Sequence, residues 1–290
     1  MEKNIEKYIE KAGILIEALP YISGYHGKIV VIKYGGSAME DEGSRSSLLN
    51  DIVFMKMVGM KPVVVHGGGP EINAALKQAN IEPKFKSGLR VTDKRTVEIV
   101  EQQLSGKVNK DIVSVFQKHN ARAVGISGKD GFIIEAEKKL VNGEDIGYVG
   151  DIVKVNTKLI QLLLDSDFIP VISPVGTDKH GNTYNINADY AAVEIAGALK
   201  ALKLVFLTDI DGIYRDINDK STFVSEITPH EAQKLINSGV ISGGMIPKIE
   251  CCIKAVNLGV NKVHIVNGNL KHSLLLEIYT KEGIGTEMKL

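Results

Sequence analysis

Short apolar runs rich in Val and Ile alternate along the chain with segments of helical periodicity. The runs have the length of buried strands, and they occur in KIVVIKYGG, KPVVVHGGG, ARAVGIS, FIPVISPV, KLVFLTD and NKVHIVNG. Helical periodicity covers residues 44–59, 71–79, 94–119, 157–165, 189–201, 229–238, 245–258 and 271–281. This alternation predicts an α/β fold, a mainly parallel sheet between two layers of helices, with ligands at the carboxyl ends of the strands.

Residues 131–156 depart from this rhythm. Short alternating pieces are separated there by Asn-Gly, Gly-Glu-Asp and Gly-Asp, which are turn signals. The segment is predicted to form β-hairpins beside the main sheet. No linker is evident, so a lobe boundary can be set only near residues 175–185, where SPVGTDKHGNTYN breaks the pattern.

The amino-terminal segment has the spacing of an amphipathic helix. Its apolar stripe consists of Ile5, Tyr8, Ile9, Ala12, Leu15, Ile16 and Leu19. Pro20 is expected to end this helix, because a proline cannot donate the helical hydrogen bond. Spacing alone leaves two alternatives open: the stripe packs on another subunit, or it folds back on its own domain.

Composition and charge exclude several classes of protein. The chain has 290 residues, of which 44% are hydrophobic, and its 35 basic residues balance 35 acidic ones. We therefore expect no general attraction to nucleic acid or to an anionic membrane. The first twenty residues contain no apolar run of signal-peptide or membrane-span length, so a cytoplasmic location is expected. The only two cysteines are adjacent, which excludes a disulfide framework.

Lysines and glycines at strand ends are the first sign of chemistry. In VIKYGGS, Lys33 ends a strand, and Gly35 and Gly36 allow a tight turn under a ligand. VVVHGGGP places three glycines before a helix, where backbone amides and the helix dipole favour a phosphate or carboxylate. For VIKYGGS alone, a lysine whose charge simply reaches solvent is an equally good interpretation.

Further polar groups lie at the predicted active edge of the sheet. NINADYAA puts Asn185 before a helix and Asp189 in its first turn, and SGGMIPK puts Lys248 in another first turn. Arg90 in SGLRVTD could pair with a carboxylate. VFLTDIDG ends a strand with Thr208, Asp209 and Gly212. Helix capping, a solvated lysine and a plain turn are the structural alternatives for these positions.

Common motifs are missing from the sequence. Position 130 is Asp where a phosphate loop needs Ser or Thr, and no GxGxxG turn occurs. The seven histidines show no metal-ligand spacing and no nucleophile motif, so we predict neither a metal site nor a catalytic triad.

Taken in order, IVVIKYGGSAM, VVVHGGGPEIN, GLRVTD, NINADYAA, LVFLTDIDGIY and GGMIPKI resemble the amino acid kinase family from residue 28 onward. The resemblance implies a three-layer αβα sandwich with about eight strands. It further implies a helix over 1–20, an acceptor-binding lobe over 21–180 and an ATP-binding lobe over 181–290 that ends in a regulatory segment. The implied reaction is phosphoryl transfer from ATP to the side-chain carboxylate of N-acetyl-L-glutamate, a step of arginine biosynthesis.

The same resemblance implies a role for each motif residue. Lys33 and Lys248 would stabilise the transferring phosphoryl group, and Asp189 would hold both lysines. The residues implied to bind the acceptor are Gly68, Gly69, Arg90 and Asn185. Those implied to bind the nucleotide are Gly35, Gly36, Thr208, Asp209, Gly212, Ser242 and Gly243, with Mg²⁺ on the ATP phosphates.

The amino-terminal helix and the tail KHSLLLEIYTKEGIGTEM resemble the arginine-inhibited branch of that family. This implies feedback inhibition by L-arginine, with Tyr8, His272, Glu282 and Gly285 as candidate ligands. It also implies a homo-hexamer built as a trimer of dimers, and it leaves a PII-type regulatory protein open as a partner. A plain surface tail is the alternative.

Three rival functions remain open from the sequence. A kinase of the same class could act on aspartate, glutamate or carbamate. A non-catalytic amino-acid sensor could keep the fold, although the motif lysines and Asp189 argue against it. A dehydrogenase of Rossmann type would share the strand and helix alternation but lacks its glycine turn.

Overall fold

The computed structural model describes residues 2–36, 42–280 and 283–290 of the chain. Its strands are β1 Ile29–Tyr34, β2 Lys61–His66, β3 Phe85–Lys86, β4 Leu89–Arg90, β5 Ala123–Ser127, β6 Ile134–Val141, β7 Glu144–Val155, β8 Ile169–Ser173, β9 Val175–Thr177, β10 Thr183–Asn185, β11 Lys203–Thr208, β12 Ile213–Tyr214, β13 Phe223–Val224, β14 Glu226–Ile227, β15 Lys262–Asn267 and β16 Thr286–Met288. Eight of them form the central sheet in the order β14-β16-β15-β11-β1-β2-β8-β5.

Helices cover both faces of this sheet. They are α1 Glu2–Tyr25, α2 Glu42–Met57, α3 Gly69–Gln78, α4 Lys94–Glu101, α5 Asn109–Lys118, α6 Lys158–Asp165, α7 Ala188–Ala198, α8 Pro229–Asn237, α9 Met245–Asn257 and α10 Ser273–Ile278. Neighbouring strands of the sheet run parallel, apart from the antiparallel pair β15 and β16. The predicted α/β class and the mainly parallel sheet of eight strands are confirmed.

The strand residues divide the core into two layers. Val30 and Ile32 point into one buried cluster, whereas Val31, which lies between them, belongs to the cluster on the opposite face. A strand that alternates its side chains in this way and stands in the middle of a sheet must be apolar at nearly every position. This explains why β1 and β2 appear in the sequence as continuous apolar runs, and why a charged residue at position 33 stands out.

The predicted β-hairpin region is confirmed and forms part of a small closed barrel. Strands β6 and β7 form a long antiparallel hairpin, and β9 and β10 complete the barrel. Strand β10 ends at Asn185 and leads directly into the residues before α7. The barrel therefore helps to position one of the predicted acceptor-binding residues.

The prediction that Pro20 ends the first helix is wrong, because α1 continues through Pro20 to Tyr25. The proline costs one backbone hydrogen bond. Packing of the last turn offsets this loss: the Tyr21 and Tyr279 rings meet edge to face with centroids 6.4 Å apart, and Lys203 Nζ lies 5.1 Å from the centre of the Tyr25 ring. Before Pro20 the apolar stripe is exposed, with Ile9 at 66%, so it does not fold back on its own domain.

Two other helices differ from their predictions. The helical segment 94–119 is confirmed, but its middle, Gln102–Val108, is a π-helix between α4 and α5. The helix predicted over 271–281 covers only Ser273–Ile278.

Strand β1 pairs with both β2 and β11, so the sheet is continuous and the lobe boundaries remain a prediction. In the described part of the chain, no helix is long and apolar enough to cross a membrane.

Candidate active site

The centre of the site is an ion pair at the carboxyl edge of the sheet. Lys33 is the penultimate residue of β1, the strand that lies between β2 and β11. Its Nζ lies 2.9 Å from Oδ1 of Asp189, and the side chains are only 12% and 22% exposed. The charge at position 33 therefore points into a site and not simply into solvent.

Asp189 is available for this pair because another residue caps helix α7. The side chain of Asn187 accepts hydrogen bonds from the backbone amides of Asp189 and Tyr190, at 2.8 and 3.2 Å. Burial by itself would raise the pKa of Asp189. The charges of Lys33 and Lys248, together with the hydrogen bond from Lys33, outweigh burial and hold this pKa below its usual value. Asp189 is thus a fixed carboxylate at neutral pH.

Lys248 adds a second positive charge that acts on the same carboxylate. It is the fourth residue of α9, a helix that begins directly after Gly243 and Gly244. Its charge acts on Asp189 strongly enough to contribute to the lowered pKa. The structure therefore places two cations around one anion, which leaves a net positive charge for an anionic ligand.

The glycines line the gap beside Lys33. The Gly67 amide donates to the carbonyl of Tyr34 at 2.8 Å, which joins the ends of β1 and β2. A side chain at Gly35 would contact Gly67 and the Lys33 ammonium, and one at Gly68 would collide with Leu104. Among the described residues, the amides of Gly68 and of Gly69, the first residue of α3, have no hydrogen-bond acceptor. Free amides of this kind suit a phosphate or carboxylate oxygen.

A cavity of about 210 Å³ next to these amides contains Arg90 and Asn185. The Arg90 guanidinium is buried and lies 4.8 Å from the centre of the Phe85 ring, and its Nη1 has no partner. An unpaired buried guanidinium nitrogen is costly unless a ligand completes its hydrogen bonds. The Asn185 amide donates to Thr92 Oγ1 at 3.2 Å. The cavity is therefore suited to a small molecule with a carboxylate and an amide.

A second cavity, of about 520 Å³, contains Asp209, Gly212 and Ser242. The Thr208 hydroxyl, at the end of β11, donates to Asp209 at 3.0 Å. Gly212 has a φ of +154°, and a side chain there would strike Phe223 and Thr286. Of the other predicted nucleotide-binding residues, Gly243 is adjacent to Ser242 in the chain, while Gly35 and Gly36 follow the end of β1.

The three candidate arginine ligands that fall among the described residues have separate surroundings. Tyr8 is exposed on α1, His272 Nδ1 is 2.7 Å from Asp51, and the Gly285 amide donates to Glu277 at 2.8 Å. Glu282 lies outside the described residues.

A different cavity, of about 650 Å³, lies between the end of α1 and the carboxyl-terminal segment. Tyr21, Tyr25, Lys203 and Glu277 are among its lining residues. Sequence motifs did not reveal it, because its charges come from strands and helices far apart in the chain.

Residues 28–267 match the amino acid kinase family, and the chain belongs to that family. An acetylglutamate kinase from Caldanaerobacter subterraneus subsp. tengcongensis is 57% identical over 278 residues, which are 96% of this chain and 93% of that protein. An acetylglutamate kinase from Methanocaldococcus jannaschii is 52% identical, with 99% of this chain and 98% of that protein covered.

Solved structures agree with the fold. N-acetylglutamate synthase from Neisseria gonorrhoeae, complexed with coenzyme A and N-acetyl-glutamate, superposes with a TM-score of 0.85 at 29% identity. The match covers 96% of this chain but 63% of that one, so this chain spans less than two thirds of the synthase. Carbamate kinase from Giardia lamblia, bound to AMP-PNP, superposes with a TM-score of 0.62 at 17% identity over 91% of this chain and 98% of its own. At that identity the likeness shows the fold alone.

Proposed function

We propose that this chain transfers the γ-phosphoryl group of ATP to the side-chain carboxylate of N-acetyl-L-glutamate, which gives N-acetyl-L-glutamyl 5-phosphate. One observation carries the proposal: the Lys33–Asp189 pair, the free glycine amides and the unpaired Arg90 nitrogen meet at one edge of the sheet. Relatives named acetylglutamate kinase, 57% and 52% identical over nearly the full chain, support the choice of acceptor.

The acceptor would be held by groups that match its chemistry. Arg90 would pair with the α-carboxylate, because its guanidinium fork fits the two oxygens. Asn185 would bind the acetylamino group, and the Gly68 and Gly69 amides would receive the side-chain carboxylate and the transferring phosphate. The cavity of about 210 Å³ suits a small acceptor.

Charge neutralisation would supply most of the catalysis. Phosphoryl transfer passes through a loose transition state, in which positioning and electrostatic stabilisation matter most. Lys33 would act from the acceptor side and Lys248 from the ATP side, while Asp189 keeps both ammonium groups in place. Asp189 would not act as a base, since a carboxylate nucleophile is already ionised at neutral pH.

The nucleotide would occupy the cavity of about 520 Å³, with its phosphates toward Lys248. The residues there fit Mg²⁺ that arrives with ATP. The carboxylate of Asp209 is exposed at the rim and could contact the ion. The carboxylate of Asp211 already accepts hydrogen bonds from Asn267 and Tyr214. No group of three or more metal-binding side chains lies in the described ranges, so phosphate and water would provide most ligands, as Mg²⁺ prefers. When bound, the ion would neutralise phosphate charge.

Release of ADP with each candidate acceptor tests this function. Purified protein is incubated with ATP and Mg²⁺ and with N-acetyl-L-glutamate, L-glutamate, L-aspartate or carbamate. We expect turnover that depends on N-acetyl-L-glutamate and is at least about 100-fold faster than with unacetylated amino acids, because those leave Asn185 without its partner. Equal or faster turnover with another acceptor would overturn the choice of substrate. No turnover with any of them would favour a sensor.

We also propose feedback inhibition by L-arginine, bound in the cavity of about 650 Å³. Carboxylates of Glu277 and Glu287 suit the guanidinium, and the ammonium of Lys203 suits the ligand carboxylate. Tyr21 and Tyr25 connect this cavity to α1. A structure of N-acetylglutamate synthase from Neisseria gonorrhoeae in complex with L-arginine, 28% identical and with a TM-score of 0.80, supports arginine as the effector.

Initial rates with and without millimolar L-arginine test the regulation. We expect inhibition that Lys203→Gln weakens at least about tenfold in arginine concentration, because the buried counter-charge is lost. Lys234→Gln, an exposed lysine on α8, is the matched control and should leave the inhibition unchanged. An unchanged rate at all substrate levels would remove arginine as an effector.

We propose a homo-hexamer, a trimer of dimers, in which the exposed stripe of α1 packs on another subunit. Ile9 and Ile16 are 66% and 69% exposed, an unfavourable state for a row of large apolar side chains. Light scattering after size exclusion should report a hexamer for the natural chain and a smaller species for Ile9→Asp/Ile16→Asp. Lys11→Glu on the same helix should keep the hexamer. A hexamer that survives the double substitution would exclude α1 as the contact. A cytoplasmic location and a PII-type partner remain predictions.

A further inference from the structure

His66 is buried next to the glycine amides, yet none of the roles above uses it. It is the last residue of β2 and is 0% exposed. Its Nδ1 lies 2.8 Å from the carbonyl oxygen of Gly67, and its Nε2 lies 3.1 Å from Nδ2 of Asn109. A buried imidazole with a partner on each nitrogen has a defined tautomer, and that tautomer depends on Asn109.

The surroundings fix the orientation of the Asn109 amide. Its Nδ2 lies 2.9 Å from the carbonyl of Val171 and 3.3 Å from that of Ile126. A carbonyl can only accept, so the amide nitrogen must face these strands. On the opposite side, the Lys110 ammonium, which can only donate, lies 3.0 Å from Asn109 Oδ1. Both contacts require the same orientation of the amide.

The tautomer of His66 follows directly. Because Asn109 Nδ2 can only donate, His66 Nε2 must accept and carries no proton. The single proton of the neutral ring then lies on Nδ1, which donates to the carbonyl of Gly67. Burial lowers the pKa of His66 to about 4, so the ring is neutral at pH 7. A charged ring would place an N–H of His66 against the amide donor of Asn109.

This hydrogen bond determines where the next amide points. In a planar trans peptide, the C=O of one residue and the N–H of the next point in opposite directions. The Gly67 carbonyl is held on the His66 side, so the Gly68 N–H points away from His66, and Gly68 lines the cavity that contains Arg90. Three successive glycines would otherwise allow this peptide to rotate, since glycine lacks the steric limits of other residues.

We propose that His66 is a positioning residue, whose Nδ1–H, set by Asn109, holds the Gly67–Gly68 peptide so that the Gly68 amide faces the phosphoryl-transfer site. The inference rests on the proposed function for its catalytic consequence. A second feature supports the network: a side chain at Gly125 would collide with Asn109 Oδ1, so a glycine on β5 makes room for the amide that sets the tautomer.

The tautomer can be measured without any assay of activity. Long-range ¹H–¹⁵N spectra of the full-length protein, labelled with ¹⁵N in histidine, separate the two neutral tautomers and the charged ring. The His66 signals are assigned by their absence in His66→Asn. We expect Nδ1 protonated and Nε2 unprotonated at pH 7. An Nε2–H tautomer or an imidazolium would overturn the inference.

Steady-state kinetics test the consequence with matched variants. His66→Leu removes the Nδ1–H donor, and we expect kcat to fall about 10- to 100-fold. This loss is somewhat smaller than that for outright removal of an amide donor. KM for ATP should stay within about twofold. His66→Asn carries an amide nitrogen near the Nδ1 position and should recover about tenfold over His66→Leu. Equal losses in both variants, or no loss in His66→Leu, would overturn the role.

Gly125→Ala keeps His66 and disturbs Asn109 together with the Lys110 ammonium that donates to it, which covers the case in which His66→Leu does not fold. We expect a changed tautomer signal together with a kcat lowered several-fold. A changed tautomer with unchanged kcat would contradict the inference.

If the unmodified protein does not phosphorylate N-acetyl-L-glutamate, the proposed function fails, whereas the tautomer measurement still decides the structural part.

Discussion

The proposed acceptor side and the proposed nucleotide side of the site are built differently. On the acceptor side, Arg90 and Gly68 are buried, and His66 supports the glycine turn from beneath. On the nucleotide side, Asp209 and Ser242 are exposed at the rim of a cavity more than twice as large. Preorganised donors lower the barrier because they need no rearrangement during reaction. Substitutions on the acceptor side should therefore change kcat or KM for the acceptor. Substitutions on the nucleotide side should mainly change KM for ATP.

The largest effect is expected where the two sides meet. Lys33→Ala removes a fixed cation from the transferring group and leaves Asp189 without its partner at 2.9 Å. We expect kcat to fall about 10³-fold while circular dichroism shows an intact fold. Lys28→Ala, an exposed lysine just before β1, is the control and should retain normal turnover. Near-normal kcat in Lys33→Ala would remove this residue from the mechanism.

Arg90→Lys tests the acceptor side alone. Lysine keeps the charge but loses the bidentate fork and the planar contact with Phe85. We expect KM for N-acetyl-L-glutamate to rise about 10- to 100-fold and KM for ATP to stay within about twofold. A rise confined to ATP would reverse the assignment of the two cavities.

The dependence of stability on pH tests the burial of His66. Its folded pKa of about 4 lies below the ordinary value near 6.5. Between these values the unfolded chain binds more protons than the folded one, so stability is lost as pH falls from about 6.5 to about 4. From pH 7 to pH 5 the natural chain should lose about 2 kcal/mol more than His66→Asn in urea unfolding. Parallel losses in the two proteins would indicate that His66 is not buried in its neutral form.

Gly212→Ala tests the nucleotide side and should have the smallest kinetic effect. The added methyl group would contact Phe223 in a conformation that disfavours side chains. We expect KM for ATP to rise about fivefold with little change in KM for the acceptor. Gly181→Ala, which also has a positive φ but lies in open space, shows how much of the effect comes from backbone strain alone. If both substitutions change KM for ATP equally, contact with Phe223 is not the cause.

The strands and the lysine motifs could be predicted because their signals are local. An apolar run such as β2 must be buried on both faces of the sheet. Lys33 lies near the end of the neighbouring strand β1, where a charged side chain has few structural roles. The continuation of α1 past Pro20 could not be predicted, since it depends on packing of Tyr21 against Tyr279, more than 250 residues away. The capping role of Asn187, which frees Asp189, required the backbone geometry of α7.

The residues that sequence reasoning missed act through partners distant in the chain. The spacing of His66 from the other histidines indicates no metal site, whereas its proposed positioning role depends on Asn109, 43 positions later. Phe85 beside Arg90 lies outside the quoted motifs, and Thr92 beside Asn185 lies within GLRVTD but was assigned no role from the sequence. The cavity with Lys203 and Glu277 forms only when α1 and the carboxyl-terminal segment come together.

Trapping the product with hydroxylamine tests phosphoryl transfer to a carboxylate most directly. An acyl phosphate reacts with hydroxylamine to give a hydroxamate, which a phosphate ester or free phosphate does not. With ATP, Mg²⁺ and N-acetyl-L-glutamate, we expect hydroxamate and ADP in equal amounts from the natural chain, and neither from Lys33→Ala above background. ADP release without hydroxamate would contradict transfer to the side-chain carboxylate.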